Sequence, residues 1–143
     1  MHRFSHVLMF GCALALVILA AGRAEAQLPG GSADARRVRN PVASTPVSVT
    51  AGSAAYKKYC AFCHGVAARG DGPLAPKGTM PANLTDPMWT RGSTDGEIFA
   101  VIMAGAGPTF DMKGFKGKIP DQDAWHIVNY LRSLAPTTTT PAR

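Results

Sequence analysis

Cysteine is scarce in this sequence. Three occur in 143 residues, and Cys12 falls inside an N-terminal apolar run, so Cys60 and Cys63 are the only two in the body of the chain. Two thiols three positions apart cannot make the bridge framework that holds small secreted domains together, so this pair has a local purpose. Aromatic residues are also few, at 8 %. A domain of this size has a small core and is marginal without added apolar volume. No stretch of useful length alternates apolar and polar residues, and no internal repeat is visible, which leaves helices and loops. Acidic residues are outnumbered 9 to 15 by Lys and Arg, for a net charge of +6.

Only the N-terminus carries a long hydrophobic run. Arg3 precedes Val7 to Ala21, which is almost wholly apolar, and Ala24-Glu25-Ala26 follows with small residues where a signal peptidase reads them. This pattern predicts a secretory signal peptide over residues 1–26, too short for a comfortable membrane span. The expected location is therefore the periplasm, with no stable membrane insertion. Residues 27–49 are rich in Gly, Ala, Ser, Pro and Arg and read as a flexible leader that loosely wraps the domain. Its cluster Arg36, Arg37, Arg39 reads as solvated charge, and export makes nucleic acid an unexpected partner. Residues 136–143, four threonines between prolines, read as a disordered tail.

Residues 50–135 form the expected domain, with three helices. The first starts near Thr50 and ends at Cys60, with Gly52, Tyr56 and Cys60 on one face. The second opens on Thr94-Asp95-Gly96-Glu97, a capping box, and runs from Ile98 to Ala104 before Gly105 and Gly107. The third spans Asp121 to Leu134, with an apolar stripe of Trp125, Ile127, Val128, Tyr130, Leu131 and Leu134. Residues 65–93 are loop-rich, and a loop that long in a compact domain is either functional or wraps something.

The chemistry sits in Cys60-Ala61-Phe62-Cys63-His64, the C-x-x-C-H signal for haem c attachment. Two thiols three positions apart on a helical turn reach both vinyl groups of one haem, and the histidine that follows meets the iron as proximal ligand. A thioredoxin-like pair needs a βαβ setting, a zinc site needs a second ligand pair, and a plain disulfide remains open to chain that never received haem.

These residues, with Gly52-x-x-x-Tyr56-x-x-x-Cys60, Gly72-Pro73, Asn83-Leu84-Thr85-Asp86, Trp89 and Ile127-Val128-x-Tyr130-Leu131-Arg132-Ser133-Leu134, resemble the class I cytochromes c in their soluble bacterial subgroup. The resemblance spans roughly residues 40 to 135. It implies an all-α cytochrome c fold, three to five helices wrapped around one covalently bound haem c. It also implies that Gly52 lets the last helix cross closely beside Tyr56 and Tyr130, and that the Pro73 carbonyl accepts a hydrogen bond from His64. The family's distal iron ligand is usually a methionine. Met112 lies where the family places it, although Lys113-Gly114 departs from the usual following residues; Met80 is the alternative. Met103 reads as core and Met88 as a haem-pocket or core contact. Trp89 and Arg91 are candidates for binding a haem propionate; the competing reading puts Trp89 in the core and Arg91 in solvent.

The function so implied is electron transfer by a His/Met-ligated haem cycling between ferric and ferrous iron, in a carrier rather than an enzyme. The alternatives are a dedicated electron-transfer subunit docked to a dehydrogenase or oxidase, or an open-site haem enzyme or gas sensor. Lys57, Lys58, Lys113, Lys116 and Lys118 would rim the haem crevice and steer a monomeric protein to redox partners with an acidic docking face.

Overall fold

The computed structural model describes residues 31–87, 89–107 and 112–134. The expected signal peptide, the tail and Met88 lie outside the described residues. The elements are α1 (Ala33–Arg37), α2 (Pro46–Tyr59), α3 (Ala61–His64), α4 (Asp95–Ala104), β1 (Gly105–Ala106), β2 (Met112–Lys113) and α5 (Asp121–Leu134). Among the described residues no helix is long and apolar enough to cross a membrane.

Helix α2 begins four residues before the expected Thr50. Thr45 caps it by accepting from the Ser48 N–H at 3.2 Å, and Pro46 takes the first turn, where a missing N–H costs nothing. The N-terminal and C-terminal helices, α2 and α5, cross at Gly52. A Cβ on Gly52 would sit 1.9 Å from the His126 carbonyl oxygen and 2.9 Å from the Tyr130 Cβ, so only glycine permits this approach. One turn on, Tyr56 is fully buried with its ring centroid 5.2 Å from that of Tyr130. The apolar stripe of α5 packs Trp125, Ile127, Val128 and Leu131 against Ile98 and Ile102 of α4, and Phe99 stacks on Trp125 at 3.9 Å. The Thr94–Glu97 capping box closes α4 as expected.

The leader departs from expectation. Residues 31–45 are not a loose wrap but a packed strap. Ser32 caps α1, and α1 lies on α4 so closely that a Cβ on Gly96 would meet the Ala35 carbonyl oxygen at 2.0 Å. Arg36 Nε donates to Glu97 Oε1 at 3.1 Å, and Glu97 is 2 % exposed. Burial pushes the Glu97 pKa up, but the Thr94 backbone N–H and hydroxyl and the Arg36 guanidinium outweigh it and hold the carboxyl below its usual range.

A polar network then ties the strap to both long helices. Asn40 Nδ2 donates to Asn129 Oδ1 at 2.9 Å, and Asn129 Nδ2 donates to Ser48 Oγ at 2.7 Å and to the Val42 carbonyl at 3.1 Å. Ser48 Oγ lies 2.8 Å from His126 Nδ1. His126 is thus a half-buried partner in the network. Among the described residues no buried side-chain nitrogen or oxygen lacks a partner, as a polar cluster in a low-dielectric interior requires.

Candidate functional site

The site begins where α2 ends. Cys60 closes that helix through its N–H to the Tyr56 carbonyl at 2.8 Å, and its own carbonyl starts the single turn of α3, accepting from His64 N–H at 2.9 Å. Cys60, Cys63 and His64 therefore share one turn directly below the α2–α5 crossing. Tyr56 links the two levels: its buried hydroxyl donates to the Gly65 carbonyl at 2.7 Å and pins the residue after His64. Burial, with the Cys60 charge added, drives the Tyr56 pKa well up, so the phenol stays a donor.

Both cysteines are free thiols, half-buried. Burial, and then the neighbouring Cys63, pushes the Cys60 thiol up to about 12. A thioredoxin-like attacking thiol needs the opposite shift, and the described residues supply no βαβ unit for one. Nor do three or more His, Cys, Asp or Glu side chains converge among the described residues as a metal-binding group, so a structural zinc site lacks ligands.

His64 is 8 % exposed. Burial lowers its pKa, and the hydrogen bond to Ala82 works against that. Nδ1 lies 3.0 Å from the Ala82 carbonyl oxygen. Resemblance placed this acceptor at Pro73. The loop explains the difference. Gly72 N–H bonds to the Cys63 carbonyl at 3.1 Å and Leu74 N–H to the Phe62 carbonyl at 2.9 Å, which leaves Pro73 exposed between them. The chain then returns, and Leu84 N–H bonds to the Ala68 carbonyl at 2.7 Å, which brings Ala82 to the histidine. Either carbonyl would do the same work: a neutral imidazole that donates from Nδ1 keeps the Nε2 lone pair for a metal.

Four of the large apolar side chains left exposed lie in the motif or its loop: Phe62, Val66, Leu74 and Met80. Among the described residues the other two are Val38 and Val47, outside the motif and its loop. A thiol pair, a tautomer-fixed histidine and an uncovered apolar rim on one short segment fit a covalently attached haem. The apolar rim matches the porphyrin, and the two thiols and the histidine match its vinyl groups and iron.

Met112 stands in β2, opposite Ala106 of β1, with Lys113 opposite Gly105. Its side chain is half-buried, whereas Met80 is 96 % exposed. Met103 packs on the core. Trp89 is half-buried against the core and gives its indole N–H to the Asp86 carbonyl at 2.7 Å, closing its own loop. Arg91 is half-buried beside Glu97 and the strap.

The lysines come together through a contact the sequence did not signal. The rings of Tyr59 and Phe115 meet edge to face at 6.0 Å. Lys58 Nζ lies 4.8 Å from the Tyr59 centroid, and Lys118 Nζ lies 6.0 Å from the Phe115 centroid. Two lysine groups more than fifty positions apart thus flank one aromatic pair beside Cys60. The Asn129–Ser48–His126 network and the Ala82 acceptor were missed as well. For Asn129 a signal existed, since it is a polar residue inside the apolar stripe of α5.

No curated protein matches the chain. The chain is similar to several solved structures, three of which follow. The first is the Kuenenia stuttgartiensis reducing HAO-like protein complex Kustc0457/Kustc0458, with 27% identity, 66% of this chain and 47% of that chain covered, and a TM-score of 0.59. The second is cytochrome CL from the marine methylotrophic bacterium Methylophaga aminisulfidivorans MPT, with 23% identity, 63% and 55% covered, and a TM-score of 0.53. The third is cytochrome cL from Hyphomicrobium denitrificans, with 20% identity, 62% and 49% covered, and a TM-score of 0.50. The chain spans about half the length of these proteins. The last two likenesses bear on the fold, which is the all-α cytochrome c fold. The family model described as "Cytochrome C oxidase, cbb3-type, subunit III" matches residues 47–131, more than half of the chain and the whole motif. The chain therefore belongs to this family of cytochrome c domains, with covalently bound haem c as its cofactor and haem-based electron transfer as its chemistry.

Proposed function

We propose that this protein is a periplasmic electron carrier whose single haem c is held by Cys60 and Cys63 and ligated by His64 and Met112. The observation that carries the reading is His64 itself, buried, one residue past the thiol pair, with Nδ1 at 3.0 Å from the Ala82 carbonyl. That hydrogen bond orients the ring and makes Nε2 the better donor. Met112 is favoured by its place in β2, between α4 and α5, on a backbone held by the ladder to Ala106. Met80 is nearly all in solvent.

Bound haem supplies a one-electron ferric/ferrous couple, with a neutral thioether favouring the ferrous state. The chain supplies position and surroundings. Tyr56 fixes the turn that carries His64, and the apolar residues around the motif lower the local dielectric and disfavour the more charged oxidation state. Were His64 and Met112 both to hold the iron, no position would be left for a substrate, and this favours a carrier over an enzyme or gas sensor. Trp89 would contribute to the propionate side only if its indole N–H left the Asp86 carbonyl, a condition that does not bear on Arg91. The expected signal peptide supports export, and the lysine-flanked Tyr59–Phe115 pair supports an acidic docking face on redox partners of a monomer.

Carbon monoxide tests the closed site. The ferrous holoprotein should leave it unbound, and Met112→Ala should bind it. Prompt binding by the wild type would bring the open-site reading forward. The second reading, a subunit docked in a complex, is favoured by one observation: the 27% identical match is to a protein complex. Gel filtration of native extract separates the two, since a free carrier elutes at its own mass.

A further inference from the structure

We propose that the groove between α1 and the start of α4 is a second docking site, shaped to hold an acidic segment of a partner protein. The open groove has a volume of about 600 Å³ and is lined by Arg36, Arg37 and Arg39 with Val38, Asn40 and Thr94, and by Asp95, whose charge is paired with Arg132 at 2.7 Å. Its frame is fixed. Arg36 is anchored to the buried Glu97 at 3.1 Å, and the Ala35 and Val38 carbonyls lie against Gly96. Asn40 is held from behind by the Trp125 carbonyl at 3.3 Å and by Asn129 at 2.9 Å. The backbone that carries the arginines is thus held in place, so only their exposed side chains must be ordered when an anion binds them.

Two of the basic charges, those of Arg37 and Arg39, are available. The Arg37 side chain is 73 % exposed, and its ion-pair partner Asp34 is 84 % exposed. A pair so placed is worth little and yields to a better anion. Arg39 is exposed and, among the described residues, has no ion pair or hydrogen bond. Guanidinium forks match carboxylates two bonds at a time, which point-charge ammonium groups do not.

The shape favours a protein segment over a lipid surface. The basic side chains line a concave groove, and Val38, 47 % exposed, puts an apolar contact between the forks. A bilayer presents a broad, nearly flat sheet of headgroups. An extended chain with carboxylates along it fits a groove that alternates charge and apolar surface. This surface also differs in place from the lysine group, which lies on the end of α2 and the loop after β2. If the chain carries electrons as proposed, one face can keep it attached to a partner while the other exchanges electrons.

The test is a titration of the 15N-labelled ferrous holoprotein with a hexaglutamate peptide at low ionic strength, followed by amide shifts. The amides of Val38, Asn40 and Thr94 should shift and saturate. Arg37→Gln with Arg39→Gln should weaken binding by about tenfold or more, and Lys113→Gln with Lys118→Gln should change it by less than about twofold. Unchanged Ser48 and His126 amide shifts in each variant show that the fold is kept. Absence of saturable shifts, shifts confined to residues 57–59 and 113–118, or equal losses in both double variants would overturn the proposal. Phosphatidylglycerol vesicles that bind more tightly than the peptide, and lose that binding in the arginine variant, would assign the groove to lipid and overturn it too. None of these failures touches the axial ligands, which carbon monoxide reports separately.

Discussion

Replacing Gly52 with alanine sets two physical effects against each other with opposite signs. Gly52 is an interior position of α2, where alanine is the better helix former by about 1 kcal/mol. Local propensity alone therefore predicts a more stable protein. The crossing predicts the reverse. The new Cβ would lie 1.9 Å from the His126 carbonyl oxygen and 2.5 Å from its carbonyl carbon, and both are backbone atoms of α5 that no rotamer change can move. To reach ordinary contact the helices must separate by roughly 1.5 Å, and overpacking of that kind costs about 1–3 kcal/mol or more. Separation also loosens Tyr56 from Tyr130 and strains the Tyr56 hydroxyl bond to Gly65, a further ~1 kcal/mol. The net expectation is a loss of about 2 kcal/mol, or about 8–15 °C in Tm for a domain of this size. Thermal and denaturant unfolding of the ferric holoprotein would measure it. An alanine variant as stable as the wild type, or more so, would refute the reasoning about the crossing.

Other perturbations test other parts of the structure. Asn129→Leu leaves the Val42 and Ala43 carbonyls without their donor and removes the partner of Ser48, so it should cost about 2–3 kcal/mol in denaturant unfolding; a loss under about 0.5 kcal/mol would show that the network contributes little. The Glu97 carboxyl is held below its unfolded value, so its contribution to stability is present above that value and disappears as pH falls through the lowered one. Arg36→Gln should raise the folded-state value toward the unfolded one, so that the acid loss of stability becomes smaller and is complete at higher pH, and an unchanged acid limb would count against the strap contact. Electron-transfer rates with an acidic redox partner should fall as salt rises, and Lys58→Glu with Lys118→Glu should flatten that dependence; a wild-type rate flat in ionic strength would remove the lysine face from the account.

Much of the site was legible because its geometry is local. The spacing of Cys60, Cys63 and His64 is one helical turn, and a turn needs no distant partner to form. The same holds for the Thr94–Glu97 capping box and for the apolar stripe of α5. Gly52, Tyr56 and Tyr130 were legible through the family resemblance, since nothing in the chain alone links positions so far apart. What escaped depends on tertiary contact. Helix α1 buries no residue of its own and exists because α4 accepts it at Gly96 and Glu97. The early start of α2 lay in Thr45-Pro46, a cap and first-turn pair hidden in a stretch whose composition reads as linker. The Ala82 acceptor is a backbone carbonyl, so side-chain identity could not announce it, and the ladder beside Met112 is too short to leave a period in the sequence.

The account rests most heavily on the pair His64 and Met112, and one measurement addresses it directly. The ferric holoprotein is scanned for the weak far-red charge-transfer band of methionine sulfur on haem iron, alongside Met112→Ala and Met80→Ala. The account predicts the band in the wild type and in Met80→Ala, and its loss in Met112→Ala. Covalent haem without that band in the wild type, or a band lost only in Met80→Ala, would contradict it.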